Sequence, residues 1–299
     1  MKKSANEVNE VQACFMAKQE KRIIRVFPRR TRATPCDGLV VVGRGPDLFD
    51  VADAVHVSVA FEWDLPFAEK LARAWEYVAP VSVGGPATGQ RGGAFTPGMY
   101  LREGYVITSR GCRNRCWFCS VWRRDGDTRE LPVTDGWNVL DDNLLACSDA
   151  HVKTVFAMLA RVKRERKKRP EFTGGLESRL LKPWHVEALR ALRPKQMFFA
   201  YDTPDDLEPL RAAGRMLLSG GFTVASHTLR CYVLCGWRDD TFSAASRRMR
   251  ETIDAGFMPM AMVWRDSGGR RSDEWRRFQR EWARPAIVGR EIMERRRDS

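Results

Sequence analysis

Short apolar runs, most of them four to seven residues long and closed by glycine, proline or charged residues, dominate the chain and set its predicted elements. Among the first hundred residues, Leu39 to Val42 is one such run and Val55 to Phe61 (VHVSVAF) is a β-rich second. Pro66 to Tyr77 is an amphipathic helix, and Val81 to Val83 is a strand running into Gly84, Gly85 and Pro86. Strands alternating with a helix predict a small, partly parallel, Rossmann-like α/β unit over residues 21–99, behind an N-terminal tail at 1–20. Gly84 to Gly98 is rich in Gly, Pro and Thr without apolar periodicity, and the unit boundary falls there.

From Tyr100 onward a β-rich run ending in polar or glycine residues, followed by a helical stretch, recurs six times. The runs are Tyr105 to Thr108, Trp137 to Leu140, Phe172 to Leu176, Gln196 to Ala200, Leu229 to Leu234 and Met258 to Val263. Between the second and third, His151 to Lys168 places Val152, Val155, Phe156, Leu159 and Val162 on one helical face. Six βα units predict an α/β fold, a partial (β/α)6, TIM-barrel-like barrel over residues 100–265. A basic helical extension follows at 266–299, with Trp275, Phe278 and Trp282 on its apolar face. In such folds the chemistry sits at the C-terminal ends of the strands, where the βα loops converge.

Composition narrows the class. The 299 residues are 43% hydrophobic and 30% charged, with 10 Trp and 15 Phe, which fits a globular chain and excludes disordered and collagenous ones. Residues 1–20 lack the apolar core of a signal peptide, and no run approaches the roughly 18 apolar residues of a membrane span. The expectation is a cytoplasmic protein with no membrane partner. Eight cysteines in a reducing compartment point to metal or redox chemistry rather than to a disulfide framework.

Three of the eight lie together. The first strand end of the second unit reads Thr108, Ser109, Arg110, Gly111, Cys112, Arg113, Asn114, Arg115, Cys116, Trp117, Phe118, Cys119, a CxxxCxxC spacing. Three thiolates on one loop suit zinc or an iron–sulfur cluster. A closed zinc site wants four ligands, and this loop holds no His or further Cys. Three ligands on a four-iron cluster leave one iron open to another molecule.

At these residues the chain resembles the radical SAM superfamily, whose CxxxCxxC follows the first strand of a six-unit partial barrel and holds a 4Fe–4S cluster. The resemblance implies that Cys112, Cys116 and Cys119 are cluster ligands and that the open iron chelates the amino and carboxylate groups of S-adenosylmethionine (SAM). An electron from a donor such as flavodoxin or ferredoxin then cleaves SAM to a 5′-deoxyadenosyl radical, which takes hydrogen from substrate. Phe118 is implied to pack near the adenine. The likeness covers Tyr105 to Val263.

Later strand ends carry further candidates. Where family members have a Gly-Gly-Glu-like motif for the SAM amino group, this chain has Asp141, Asp142 and Asn143, a departure from the pattern. Asp142 and Asn143 are candidates for that contact, with capping of the next helix as the structural alternative. After the third strand, Glu177 and Arg179 are candidates for the ribose and carboxylate of SAM, against a plain surface ion pair, and Asp202 after the fourth is a similar candidate. Gly236, after the fifth run, resembles the glycine many members place beside the adenine. Cys231 and Cys235, about 13 Å apart on one strand face, and Cys14, Cys36 and Cys147 read as buried small hydrophobes. No histidine receives a catalytic role.

The first unit resembles, in architecture alone, the cobalamin-binding domain of one branch of the superfamily. Its Asp-x-His-x-x-Gly signature is absent, since His56 in Ala54-Val55-His56-Val57 lacks both partners. Cobalamin therefore stays an open ligand beside a degenerate domain that covers the barrel mouth or recognises substrate. The net charge of +13 divides unevenly: residues 1–100 hold 13 basic and 11 acidic groups, or +2, leaving +11 for the rest. Arg161 to Arg169 holds seven basic residues and one Glu, and Arg265 to Ser299 eleven Arg and seven acids, both read as helix faces. Arg110 to Arg124 holds five Arg and no acid around the cysteines, which suggests an anionic or nucleic-acid substrate. An iron–sulfur redox or sensor protein without SAM cleavage, and a radical SAM enzyme acting on a peptide or small metabolite, are the alternative functions.

Overall fold

The computed structural model describes residues 21–266, 268–284, 287–289 and 291. The predicted tail at 1–20, with Cys14, and the extension beyond 291 lie outside the described residues.

The chain is an α/β protein built on two parallel sheets, each with its own hydrophobic core. The first sheet contains β1 (Ile23–Phe27), β2 (Val40–Val42), β3 (Ala54–Ser58) and β4 (Val81–Gly84), in the order β2-β1-β3-β4. Its central strand β1 is not among the predicted runs, because Arg25 interrupts the apolar IIRVF. One face, with Ile24, Val26, Val55 and Val57, packs with Ala68, Leu71, Ala72 and Trp75 of helix α1 (Leu65–Trp75). On β1 and β3 the register pairs Arg25 with His56. Arg25 donates to the carbonyls of Gly98 and Met99 at 3.2 and 3.1 Å, and His56 Nδ1 shares a 2.6 Å hydrogen bond with the Tyr100 hydroxyl. The segment leaving the first sheet is thus pinned back on it.

The second sheet holds six parallel strands in unbroken chain order: β5 (Tyr105–Val106), β8 (Asn138–Val139), β9 (Glu171–Phe172), β10 (Gln196–Tyr201), β11 (Leu229–Cys235) and β12 (Met258–Val263). Between β5 and β8 lies a short antiparallel pair, β6 (Ser109–Arg110) with β7 (Arg129–Glu130), and the one-turn helix α2 (Val121–Asp125). Helices α3 (Asp149–Arg166), α4 (Pro183–Leu192), α5 (Leu207–Ser219), α6 (Phe242–Asp254) and α7 (Asp273–Trp282) follow β8 to β12 in turn. Helix α3 begins where Ser148 caps it, the hydroxyl accepting from His151 N at 3.2 Å, and buries Val152, Val155, Phe156, Leu159 and Val162. Helix α7 buries Phe278 and Trp282. Strands that all run the same way deliver their C-terminal residues to one edge of the sheet, the edge that carries the cysteine loop. Among the described residues no helix is long and apolar enough to cross a membrane.

Candidate metal and cofactor site

Cys112, Cys116 and Cys119 sit between β6 and β7, each half-buried. Gly111 opens the loop at φ +85°, and a Cβ there would meet the backbone oxygens of Asp127 and Gly126 at 2.4 and 2.7 Å, so only glycine fits. Cys112 N donates to Gly126 O at 3.0 Å, Cys119 N to Cys116 O at 3.1 Å, and the Trp122 indole to Cys116 O at 3.0 Å. The loop is therefore a hydrogen-bonded turn.

Two consecutive aspartates hold it to the sheet. Asp141, 1% exposed, accepts from Thr108 N, Thr108 Oγ1 and Ser109 Oγ at 2.6 to 2.7 Å and joins the end of β8 to the end of β5. Burial still pushes its carboxyl above the ordinary value, outweighing those three bonds. Asp142 accepts from Gly111 N at 2.8 Å and lies 3.9 Å from Arg124. Its carboxylate supports the loop backbone.

Asn143 does neither of these things and caps nothing. Its Nδ2 donates to Glu177 Oε2 at 2.6 Å and to Cys112 Sγ at 3.5 Å, while its Oδ1 is buried without a hydrogen-bond partner. Asn143 and Glu177, from the ends of β8 and β9, thus meet beside the first cysteine. Arg179 turns the other way, to Asp206 at 3.0 Å and the carbonyl of Asp205 at 2.8 Å. Gly236, at φ +74°, donates its N–H to Asp240 at 2.8 Å, and a Cβ would meet the Trp275 ring at 2.9 to 3.0 Å. Helix α7 fills the space beside it. Phe118 lies edge-on to Trp117 at 4.9 Å.

Burial pushes the Cys116 thiol up to about 11, with repulsion from Cys119 and Cys112 adding to it, and burial likewise raises Cys119. Free thiolates are disfavoured here, and coordination to iron removes that penalty by taking the proton's place. Among the described residues no group of three His, Cys, Asp or Glu side chains is arranged around one ion. Each cysteine of a four-iron cluster ligates its own iron. The donors on this loop fit such a cluster, and the orphaned Asn143 oxygen beside the Glu177 carboxylate fits an ammonium donor.

No protein-family model and no curated protein matches this chain.

Several polar contacts escape a reading of the sequence alone. Asp141 stands in the same triplet as Asp142 and Asn143, and its strand-end position is the signal that marks it. Asp202, after β10, is raised to about 7 by burial and by Asp206. Asp125, 2% exposed, accepts from Arg124 Nε and from Gly92 N, both at 2.7 Å, and ties the inter-unit segment to the cysteine loop. Cys231 and Cys235 are buried in the core, and Cys147 is partly buried against it. Cys36 corrects the expectation for it: it is exposed, since it lies in the turn before β2 and outside both cores. In the first unit the one histidine, His56, holds the Tyr100 hydroxyl through Nδ1.

Proposed function

We propose that the chain is a radical SAM enzyme, its six βα units forming a partial barrel over residues 100–265 behind a small α/β unit. The observation that carries this reading is the junction of Cys112, Asn143 and Glu177. A CxxxCxxC loop stands at the C-terminal edge of six chain-ordered parallel strands, and the next two strand ends bring a hydrogen-bond donor to its sulfur and a carboxylate beside it. When bound, a 4Fe–4S cluster would supply the electron that cleaves SAM.

The chain's residues perform the rest. Cys112, Cys116 and Cys119 would ligate three irons. The Asn143 amide donates to the Cys112 sulfur, and such a hydrogen bond makes a cluster easier to reduce. Glu177 and Asn143 Oδ1 would accept from the SAM ammonium group, which replaces the absent Gly-Gly-Glu-like motif by acceptors from two neighbouring strands. Asp142 keeps the loop backbone in register through Gly111, and Phe118, packed on Trp117, walls one side of the cofactor space. Flavodoxin or ferredoxin would supply the electron.

Anaerobic reconstitution with iron and sulfide, followed by dithionite and SAM, is expected to yield 5′-deoxyadenosine and methionine, and Cys116→Ala to lose both the brown cluster and the product. A protein that binds iron and forms no 5′-deoxyadenosine is instead a redox or sensor protein. Full iron retention by Cys116→Ala would remove both readings.

A further inference from the structure

Cations on this chain fall into two groups that the total charge hides. In the run from Arg161 to Arg169 four of the seven cations are engaged: Arg161 with Asp135 and Glu165, Arg166 with Glu103, Lys163 and Arg169 with backbone carbonyls at the ends of neighbouring elements. Around the cysteine loop Arg124 pairs with Asp125 and Arg110 donates to the Gly93 carbonyl, while four further arginines lie open. Arg113, Arg115, Arg123 and Arg238 are exposed, and among the described residues none of them forms an ion pair.

Arg123 and Arg238 touch an aromatic platform, and Arg113 and Arg115 precede it in the same loop. Trp117, between Cys116 and Phe118, is 43% exposed. Its ring stacks at a tilt on Trp237 with centroids 4.1 Å apart, and Trp237 meets Trp264 edge-on at 4.7 Å. The Arg238 guanidinium lies over Trp237 at 5.1 Å, and Arg123 donates to the Trp117 carbonyl at 3.2 Å. The next residue along, Arg265, lies over Trp63 of the first unit at 5.0 Å. A half-exposed indole costs solvation unless something planar covers it, and unpaired guanidiniums beside it attract phosphate.

Resting on the radical SAM reading above, we infer that the substrate is single-stranded nucleic acid, with an unpaired base stacked on Trp117 and its flanking phosphates held by Arg113, Arg115, Arg123 and Arg238. Alternation of indoles and guanidiniums is the chemistry by which proteins hold unstacked bases without reading a duplex groove. Trp117 directly follows Cys116 and stands two residues before Cys119, so a base stacked there lies beside the reaction centre of that reading.

The test is fluorescence anisotropy of end-labelled 12-nucleotide RNA and DNA, single-stranded and duplex, with the reconstituted full-length protein. Single strands are expected to bind at least ten-fold tighter than duplex. Neutralising about four phosphates gives a slope near −3 in log K against log salt, or roughly fifty-fold weaker binding between 50 and 200 mM salt. Trp117→Ala should weaken binding about ten-fold and Trp117→Phe only two- to three-fold, which separates stacking from a folding defect. Equal affinity for duplex, a flat salt response, or wild-type affinity in Trp117→Ala overturns the inference and leaves a peptide or small metabolite as the substrate. Wild-type 5′-deoxyadenosine formation, measured without oligonucleotide on the same preparation, reports separately on the SAM reading. Cleavage without binding overturns the substrate class alone, and binding without cleavage overturns the SAM chemistry.

Discussion

Asp141→Ala isolates the contact that joins the cysteine loop to the sheet. Thr108 and Ser109 are both fully buried, and the carboxylate they share accepts one backbone N–H and two hydroxyls. Removing it strands Thr108 N–H in a dry site, a cost of about 1–3 kcal/mol, and leaves two hydroxyls to seek poorer acceptors. The sum is about 3–4 kcal/mol. Asp141→Asn keeps an oxygen for the N–H and lets the hydroxyls rotate to accept from its amide, so about 1 kcal/mol is expected. Urea unfolding followed by tryptophan fluorescence reads this directly, because eight of the 10 tryptophans lie beyond residue 100. With an m-value of about 2–3 kcal/mol/M, the alanine midpoint should fall by roughly 1–2 M. The pH dependence has a fixed sign: burial raises the Asp141 carboxyl in the fold, so the folded chain binds more protons than the unfolded one between the ordinary and the raised value. This group's contribution to stability therefore falls as pH rises through that window, and Asp141→Asn should abolish its part of the slope. An alanine midpoint within about 0.3 M of wild type would refute the account.

Gly111→Ala places a Cβ against two backbone oxygens and forces an unfavourable φ, so iron retained per chain after reconstitution should fall several-fold, and full iron content would contradict the loop geometry. His185, 1% exposed, accepts from Lys182 N at 3.0 Å, and burial, with the Lys182 charge, pushes its imidazole down to about 4. The fold keeps the neutral form, so stability is present above the unfolded value near 6.5 and is lost as pH falls toward 4. Wild type should lose about 2 kcal/mol between pH 7 and 5 from this group. His185→Gln should show a correspondingly shallower slope in urea midpoints, and an unchanged slope would refute the assignment.

Elements set by apolar runs are read closely from the chain. Strands β11 and β12 match the runs from Leu229 and Met258 to within one residue, because their interior positions are apolar at nearly every step. Strands β5, β8 and β9 pair over two residues each, shorter than the runs that announce them, because polar ends such as Thr108 and Asp141 leave the sheet to build the site. Strand β1 is hidden because Arg25 interrupts its apolar run, and besides Asp37 that side chain's partners are the carbonyls of Gly98 and Met99, more than seventy positions away. The same distance effect governs the site. The cysteine spacing is local and therefore legible, whereas the partners of Arg179 and Gly236 come from the following βα unit and from helix α7, and no local pattern announces either. Asn143 is the intermediate case: its position at a strand end marks it, and only packing shows that it joins Glu177 to Cys112.

The segment between the two cores is fastened at both ends. Near its start, Pro86 O accepts from Arg124 and Gly92 is held through both N–H and C=O by Asp125 and Arg129; near its end, Gly98 and Met99 carbonyls are held by Arg25. Swinging the first unit aside would break several partly buried bonds at once, at about 1–3 kcal/mol for each group left unpaired. The first unit therefore behaves as a fixed wall rather than a lid.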